Sequence, residues 1–259
     1  MYEKFKVCPI QGRQLLDVRK SDIFGDFRIC DTYRGGGGYD RLPAIIERRN
    51  ILSVEDGTLT NTAKQFVVQL YGCHLRCPYC YVTRDGILGK YVEYTTGEII
   101  YKFMQAHDLH NVGVLHLMGG APGLYLDRWY SVRQQLPSQF VFTSDLLLTE
   151  GIYNKGNITA LKYLGNNTSI FAINIKGVTS KDYEFNTGRK INWKLFWDNF
   201  DKVVDSGIHF YLTFTNPDLS YINQFKDKII KRYGESTLDD SFIINIKQYE
   251  AVKDGPAWR

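Results

Sequence analysis

Three cysteines crowd into one short stretch of the chain, Cys73-His74-Leu75-Arg76-Cys77-Pro78-Tyr79-Cys80. The stretch directly follows an apolar, β-branched run, Phe66–Tyr71, and is therefore predicted to be the loop after a strand. Thiolates spaced four and three residues apart on one loop can converge on a single metal centre. They supply one ligand fewer than a cubane cluster or a tetrahedral zinc requires. The missing ligand indicates an open coordination site, which is where a metal does chemistry.

A structural zinc is one alternative to a reactive centre. Its fourth ligand would be a histidine from the set His74, His107, His110 and His116. Structural zinc sites are usually built from two C-x2-C pairs, and the sequence has no second pair. A chance cluster of unliganded thiols is the other alternative. The total of five cysteines is odd, which argues against a disulfide framework.

Short apolar runs and helical patterns alternate from residue 66 onward. Apolar side chains fill nearly every position of the runs, which is typical of strands buried in a parallel sheet. About six βα units are too few for a closed eight-fold barrel. The sequence therefore predicts an α/β fold, a partial (β/α)6 TIM-like barrel with an N-terminal extension. The predicted strands are Phe66–Tyr71, Val112–Met118, Phe140–Thr143, Ser169–Ile175, His209–Thr215 and Phe242–Ile246.

Helices are predicted between these strands. The first begins at a capping box formed by Thr95 and Glu98 and runs to about His107. Gly165 and Gly207 follow two of the others, as glycines at helix C-termini do. The remaining predicted helices are Leu126–Leu136, Ile158–Leu164, Trp193–Asp205 and Tyr221–Tyr233.

Residues 1–65 differ from residues 66–259 in pattern. They contain the run Gly35-Gly36-Gly37-Gly38, scattered charges and no sustained periodicity. The glycine run lacks the Lys-Ser/Thr that follows in a phosphate loop, so a flexible loop is predicted. We expect residues 1–65 to be an extension that closes over the barrel mouth or recruits the substrate, and residues 66–259 to form the barrel.

The overall composition excludes several classes of protein. Hydrophobic residues make up 44% and charged residues 23%, which is typical of a globular protein. The formal net charge of +4 is too small to indicate a nucleic-acid partner. Apolar runs fall short of the ~20 residues of a membrane span, and the first residues lack the apolar core of a signal peptide. We expect a cytoplasmic protein without a membrane partner.

The spacing C-x3-C-x-aromatic-C after the first strand of a βα repeat resembles the signature of the radical S-adenosylmethionine (radical SAM) superfamily. In that superfamily the cysteines hold a [4Fe-4S] cluster, and the fourth iron chelates the amino and carboxylate groups of SAM. The resemblance implies an enzyme that cleaves SAM reductively and generates a 5′-deoxyadenosyl radical, which abstracts hydrogen from a substrate. By the same resemblance Cys73, Cys77 and Cys80 are the cluster ligands, and Tyr79 lies near the adenine. A reductant such as flavodoxin or ferredoxin is implied as a partner.

Two further stretches continue this resemblance. Leu117-Met118-Gly119-Gly120-Ala121-Pro122-Gly123 is similar to the superfamily's Gly-Gly-Glu-Pro stretch, whose backbone meets the methionine amino group, with Ala121 where Glu is usual. The third strand is followed by Ser144 and Asp145, where relatives have a ligand-binding turn. Either residue could meet the ribose or the ammonium of SAM. A helix cap is the alternative role for the aspartate.

The stretch Ala172-Ile173-Asn174-Ile175-Lys176-Gly177 resembles the Asp-Leu-Lys stretch of the activating enzymes that install glycyl radicals. In those enzymes the lysine pairs with the methionine carboxylate, which is the role implied for Lys176. Among radical SAM proteins the core is therefore most similar to the activating enzymes, which implies a peptide or protein substrate. Two departures are Tyr81-Val82-Thr83 after the last cysteine and the absence of the expected Arg on the fifth strand.

Two alternatives to this function stay open. One is a radical SAM enzyme that modifies a nucleoside or another small metabolite. The other is a non-catalytic relative with a structural zinc or cluster, for which the Ala121 and Asn174 replacements are the sequence support. The remaining thiols, Cys8 and Cys30, lack the spacing of an auxiliary cluster. Either could return a hydrogen atom to a substrate radical, although a free cysteine is usually a small buried apolar group.

Overall fold

A computed structural model describes residues 4–9, 21–31, 64–80, 82–149, 155–165 and 168–244. Within them the strands are β1 (Phe5–Val7), β2 (Ser21–Phe24), β3 (Phe27–Asp31), β4 (Lys64–Gln69), β5 (Val92–Tyr94), β6 (Val112–Met118), β7 (Val141–Leu146), β8 (Ser169–Ile175), β9 (Phe210–Thr215) and β10 (Phe242–Ile244). The helices are α1 (Arg84–Leu88), α2 (Thr96–His110), α3 (Trp129–Gln135), α4 (Lys155–Leu164), α5 (Ser180–Thr187), α6 (Trp193–Ser206) and α7 (Ile222–Tyr233), with 3-10 helices at Pro122–Arg128 and Glu235–Leu238.

Eight of these strands form one sheet in the order β10-β9-β8-β7-β6-β4-β3-β2. The strands from β10 to β4 run parallel, and β3 and β2 pair antiparallel at one edge. As described, β10 and β2 are separate edges, so the sheet is open. The predicted α/β class is confirmed. Because the parallel strands point the same way, their carboxyl ends lie along one edge of the sheet, where ligands bind in such folds.

The sheet has two chemically different faces, because successive side chains of a strand point to opposite sides. One face is covered by helices and holds the apolar core, in which Trp129 of α3 stacks on Phe171 of β8 with ring centroids 5.0 Å apart. The opposite face, here called the polar face, bears polar side chains at alternate positions of neighbouring strands. They are Gln65, Gln69, His116, Asp145, Asn174 and Thr213.

Strand prediction succeeded where apolar runs were continuous. Val112–Met118 and Ser169–Ile175 match the predicted bounds. The third parallel strand, predicted as Phe140–Thr143, runs instead over Val141–Leu146. Its polar residues stay in the sheet because Asp145 pairs with Ala172 of β8. The longer strand puts Ser144 and Asp145 on opposite faces.

Helix prediction was correct for the long amphipathic segments. The predicted capping box is present, with the Thr95 side chain accepting from the Glu98 N–H and the Glu98 carboxylate accepting from the Thr95 N–H. Gly207 ends α6 in the left-handed conformation, as predicted. The segment Leu126–Leu136, predicted as one helix, is divided between the end of the 3-10 helix Pro122–Arg128 and α3. None of the described helices is long and apolar enough to cross a membrane.

The described parts of residues 1–65 are built into the same core. β2 and β3 extend the sheet from β4, and β1 pairs with β5. Phe5, Val7, Phe27 and Ile29 are all buried in the core of the helix-packed face. These segments therefore contribute to the stability of the sheet. The predicted loop at Gly35–Gly38 and the end of the predicted strand Phe242–Ile246 lie outside the described residues.

Candidate functional site

The cysteine loop follows β4 and is fixed by backbone hydrogen bonds to three neighbouring elements. The Gly72 N–H donates to the Ile87 carbonyl of α1 at 2.8 Å. The Gly72 carbonyl accepts from the Ala121 N–H at 2.7 Å, which ties the loop to the segment after β6. The Arg76 N–H donates to the Thr187 carbonyl at the end of α5 at 2.8 Å. The cysteines are therefore presented from a loop that the fold holds at three points.

Two arginine side chains donate hydrogen bonds to backbone carbonyls of the cysteine loop. Arg76 Nη1 donates to the Cys73 carbonyl at 2.9 Å and to the Leu75 carbonyl at 2.7 Å. Arg189 Nε donates to the His74 carbonyl at 3.0 Å. A guanidinium suits this task because it carries five N–H donors in a fixed fork. Three carbonyls of the loop are thereby hydrogen-bonded without using the thiols.

The three cysteines lie in largely apolar surroundings. Cys73 and Cys80 pack against Val82 and Ile87, and Cys73 and Cys77 pack against a cluster that contains Ala121. Burial raises the pKa of the Cys77 thiol, and the positive charge of Lys176 partly opposes this shift. Such a thiol becomes a thiolate readily only when it binds a metal. Thiols in a pocket of low polarity therefore fit a [4Fe-4S] cluster.

The described residues do not contain a preformed site for a single metal ion. Across the described part of the chain, no group of three His, Cys, Asp or Glu side chains could hold one metal ion. A cubane places each thiolate on a different iron, so it does not need that convergence. Two of the histidines proposed as a fourth zinc ligand have other partners. His107 Nδ1 lies 2.8 Å from the Val112 carbonyl, and His116 Nδ1 lies 2.7 Å from Gln65 Oε1.

Tyr79 and Lys176 meet beside Cys77, although they come from different elements. Lys176 directly follows β8, and its Nζ lies 5.8 Å from the centroid of the Tyr79 ring. Burial raises the pKa of Tyr79 well above its usual value, and the neighbouring charge of Cys77 raises it further. The phenol therefore stays neutral, while the ammonium supplies positive charge at the carboxyl edge of the sheet.

Gly119 and Gly120 bring the backbone after β6 against the cysteine loop. Both have positive φ, 71° and 55°, a region that residues with side chains rarely adopt. A Cβ on Gly120 would lie 2.4 Å from the Gly72 carbonyl oxygen, and one on Gly119 would lie 1.6 Å from Gln69 Nε2. Glycine is therefore required at Gly120 by the close approach of the Gly72 carbonyl, and at Gly119 by its positive φ. The buried Ala121 completes the turn.

Asp145 stands in a chain of polar contacts that crosses the polar face. Its carboxylate accepts from Asn174 Nδ2 at 3.0 Å and lies 3.7 Å from His116 Nε2. The chain continues at one end to Gln65 and at the other to Thr213, whose hydroxyl donates to Asn174 Oδ1. Burial would raise the pKa of Asp145, but hydrogen bonds from His116 and Asn174 and the charge of Lys176 together hold it below the usual value. The aspartate is therefore a fixed anion.

The sequence could not separate Ser144 from Asp145, and the structure separates them. The Ser144 hydroxyl is fully buried and donates to the Leu117 carbonyl at 2.9 Å. Of these two residues, only Asp145 points to the polar face. Asn174 and Lys176 lie on the same face. Gln65, His116 and Thr213 were missed as members of this chain, because each lies in a strand that was recognised by its apolar neighbours.

Of the two other predicted thiols, Cys8 lies beside the carboxyl end of β4, because its N–H donates to the Gln69 carbonyl at 2.9 Å, and Cys30 lies farther away. Cys8 is fully buried, and burial raises its pKa to about 11. Cys30 of β3 pairs with Gln65, four residues before the end of β4. At about 3.3 Å per residue this is roughly 13 Å from the carboxyl edge. The role of either thiol as a hydrogen donor stays a prediction.

Comparisons with known proteins agree with this geometry. A family model described as the radical SAM superfamily matches residues 67–223, which is more than half of the 259 residues. The chain belongs to the radical SAM superfamily. Membership implies an enzyme that uses SAM and a [4Fe-4S] cluster. A search of curated proteins returned no match.

Solved structures of Streptococcus suis SuiB have a similar fold. SuiB bound to S-adenosylmethionine matches with a TM-score of 0.51 and 16% identity, over 82% of this chain and 44% of SuiB. SuiB bound to the precursor peptide SuiA matches with a TM-score of 0.50 and 13% identity, over 79% and 42%. At such identities the likeness concerns the fold alone. This chain spans less than half the length of SuiB, and the predicted likeness to the activating enzymes is not confirmed.

Proposed function

We propose that this chain is a radical SAM enzyme in which Cys73, Cys77 and Cys80 hold one [4Fe-4S] cluster. The observation that carries the proposal is the meeting of Cys77, Tyr79 and Lys176 at the carboxyl edge of a parallel sheet. These residues come from two loops almost a hundred positions apart in sequence (176 minus 77). An aromatic ring, a cation and a thiol at one point suit a ligand with an aromatic base and a carboxylate next to a cluster.

Different residues around the cysteines bind different chemical groups of SAM. The Lys176 ammonium binds the methionine carboxylate through a charge-assisted hydrogen bond. The backbone at Gly119, Gly120 and Ala121 faces the amino group, and the Tyr79 ring lies by the adenine. Asp145, held as an anion, accepts hydrogen bonds from ribose hydroxyls. Ser144 was also predicted to contact SAM. Its role is structural, because its hydroxyl donates to the Leu117 carbonyl and so joins β7 to β6.

The polypeptide positions this chemistry and shields it. When bound, the reduced cluster and SAM supply an electron and a 5′-deoxyadenosyl radical that removes hydrogen from the substrate. The apolar side chains packed against Cys73 and Cys77, which are themselves partly exposed, reduce the access of water to that point. We propose that the six parallel strands curve into a partial (β/α)6 barrel whose interior is the polar face. The chain Gln65–His116–Asp145–Asn174–Thr213 then lines the space in which substrate is held.

A peptide or protein is the substrate class that we favour. SuiB, which shares the fold, was solved with its precursor peptide SuiA. The position of Lys176 after β8 also supports the resemblance to the activating enzymes. A nucleoside or small metabolite is the alternative substrate. The electron donor is a small reductant protein such as flavodoxin or ferredoxin.

Product formation under anaerobic conditions tests this function. The reconstituted protein is incubated with SAM and dithionite, and 5′-deoxyadenosine and methionine are measured by chromatography. We expect the wild type and Cys30→Ala to form the same amounts of both products, because Cys30 pairs with Gln65, roughly 13 Å from the carboxyl edge. Cys77→Ala should form neither and should lose iron. A normal iron content in Cys77→Ala would overturn the ligand assignment, and zinc in place of iron would overturn the proposed function.

A further inference from the structure

Gln69 is a buried amide whose polar atoms have no hydrogen-bond partner among the described residues. It is the last residue of β4, four positions before Cys73, and its side chain lies on the polar face. The residue is 1% exposed, and both Oε1 and Nε2 are unpaired. Buried amides are nearly always hydrogen-bonded, because an unmet donor or acceptor is costly. Gln65 on the same face of β4 shows the usual case, since its Oε1 is bonded to His116.

The Gln69 amide lies directly over Gly119. A Cβ built on Gly119 would be 1.6 Å from Nε2, 2.2 Å from Cδ and 2.3 Å from Oε1 of Gln69. The space that a side chain at position 119 would fill is therefore occupied by this amide. The backbone of Gln69 is fixed in turn, because its carbonyl accepts from the Cys8 N–H at 2.9 Å. The unpaired amide thus lies against Gly119, whose backbone is assigned to the amino group of SAM.

Position 121 offers no polar side chain to that amino group. The superfamily usually has Glu there, and this chain has Ala121, whose methyl group is fully buried beside Leu75 and Leu147. The Ala121 N–H is a donor and is bonded to the Gly72 carbonyl, so it cannot accept from an ammonium group. Lys176 is a cation and cannot accept, and Asp145 is assigned to the ribose hydroxyls. Among the described side chains at the turn after β6, Gln69 Oε1 is an acceptor without a partner.

We propose that the Gln69 amide oxygen binds the α-amino group of SAM, next to the backbone of Gly119 and Gly120. The ligand class is an α-ammonium group, to which an amide oxygen makes a charge-assisted hydrogen bond. The inference rests on the proposed function, since it assigns one contact within the same site. It also accounts for glycine at position 119, which leaves room for the amide.

SAM affinity of two Gln69 variants tests this contact. Gln69→Leu removes both polar atoms at similar size, and Gln69→Glu keeps an acceptor at this place and adds a negative charge. We expect Gln69→Leu to bind SAM about tenfold more weakly, the size of one lost bond to a charged group. Gln69→Glu should bind at least as tightly as the wild type. Gln134→Leu, the same change on the exposed side of α3, is the matched control.

Affinity is measured by equilibrium dialysis on anaerobically reconstituted protein, with iron content measured on the same samples. The second probe is 5′-methylthioadenosine, which keeps the adenosine and lacks the amino acid part of SAM. Gln69→Leu should bind this probe as the wild type does, because the proposed contact is to the amino group. The difference between the two probes separates a direct contact from a general distortion of the site.

Several outcomes would overturn the contact. One is wild-type SAM affinity in Gln69→Leu at full iron content, and another is equal weakening of both probes. Should Gln69→Leu fail to fold, Gln69→Glu still decides, since a tenfold loss of SAM affinity at full iron content contradicts the proposal. Failure of the proposed function looks different, because the wild type itself would then lack iron or would not bind SAM.

Discussion

At the scale of single residues, Lys176 connects the two halves of the candidate site. Its Nζ lies over the Tyr79 ring, and its charge acts on both Cys77 and Asp145. A partly buried ammonium between an aromatic ring and a carboxylate is well placed to receive a second anion from a ligand. The geometry therefore supports the methionine carboxylate as its partner.

Replacing this lysine should weaken SAM binding without removing the cluster. In Lys176→Met we expect the affinity for SAM to fall about tenfold or more, because a charge-assisted bond is lost. Iron content should stay at the wild-type level. Lys226→Met is the matched control, since Lys226 also lies over a ring, 5.5 Å from the centroid of Phe214. Equal SAM affinity in Lys176→Met and wild type would show that the lysine does not bind the ligand.

The sequence predicted some of these residues and not others for a physical reason. Cys73, Cys77 and Cys80 were found because their spacing within one loop is itself the signal. The contact between Gln65 and His116, or between Asp145 and Asn174, depends on which residues face each other across strands. That register is set by sheet pairing, which one sequence does not reveal. Gln69 was missed for the same reason, since its importance comes from lying over Gly119.

At the scale of elements, the end of α5 supports the cysteine loop. The Thr187 carbonyl accepts from the Arg76 N–H, and Asn186 Nδ2 donates to the carbonyls of Thr215 and Asn216 at the end of β9. Gly188 then ends the helix with a φ of 62°. The helix thus joins the loop to the far side of the sheet.

A side chain at Gly188 should disturb the loop and reduce cluster loading. A Cβ there would lie 3.2 Å from both Cβ and the carbonyl oxygen of Arg76. Gly207→Ala is the control, because Gly207 has a similar φ of 73° and, in the described structure, nothing within 4 Å of such a Cβ. Both variants should lose about 1–2 kcal/mol of stability from backbone strain. Only Gly188→Ala should also bind less iron, and equal iron content in the two variants would contradict a supporting role for α5.

Helix α5 was not predicted because it lacks an apolar stripe. Its sequence is SKDYEFNT, and its buried positions include Asn186 and Thr187. These polar residues are stabilised by bonds to other elements, so the helix depends on tertiary contacts more than on its own pattern. The long helices α2 and α6, by contrast, show their apolar faces and their caps in the sequence.

At the scale of the whole molecule, the described parts of the N-terminal extension belong to the sheet. Phe27 of β3 is 1% exposed and packs against Phe66 with ring centroids 4.8 Å apart. The sequence indicated a separate segment because short strands paired at a sheet edge leave little periodicity. Pairing of β3 with β4 supplies the partners that the local pattern did not show.

Phe27→Ala should therefore destabilise the whole fold. We expect a loss of about 3–5 kcal/mol in the free energy of unfolding, the usual cost of removing a buried phenyl ring. Ile23→Ala on β2 is the control, because Ile23 is 59% exposed and should change stability little. Thermal or denaturant unfolding measures both variants. A loss below about 1 kcal/mol in Phe27→Ala would mean that these strands are a dispensable attachment.

Electron paramagnetic resonance on the anaerobically reconstituted, dithionite-reduced protein shows directly whether the cysteines hold a [4Fe-4S] cluster that binds SAM. Spectra are recorded with and without SAM, and with Cys77→Ala as the variant that lacks a ligand. We expect a reduced [4Fe-4S] signal that changes when SAM is added and is absent in Cys77→Ala. A cluster signal that SAM leaves unchanged, or bound zinc with no cluster signal, would contradict this expectation.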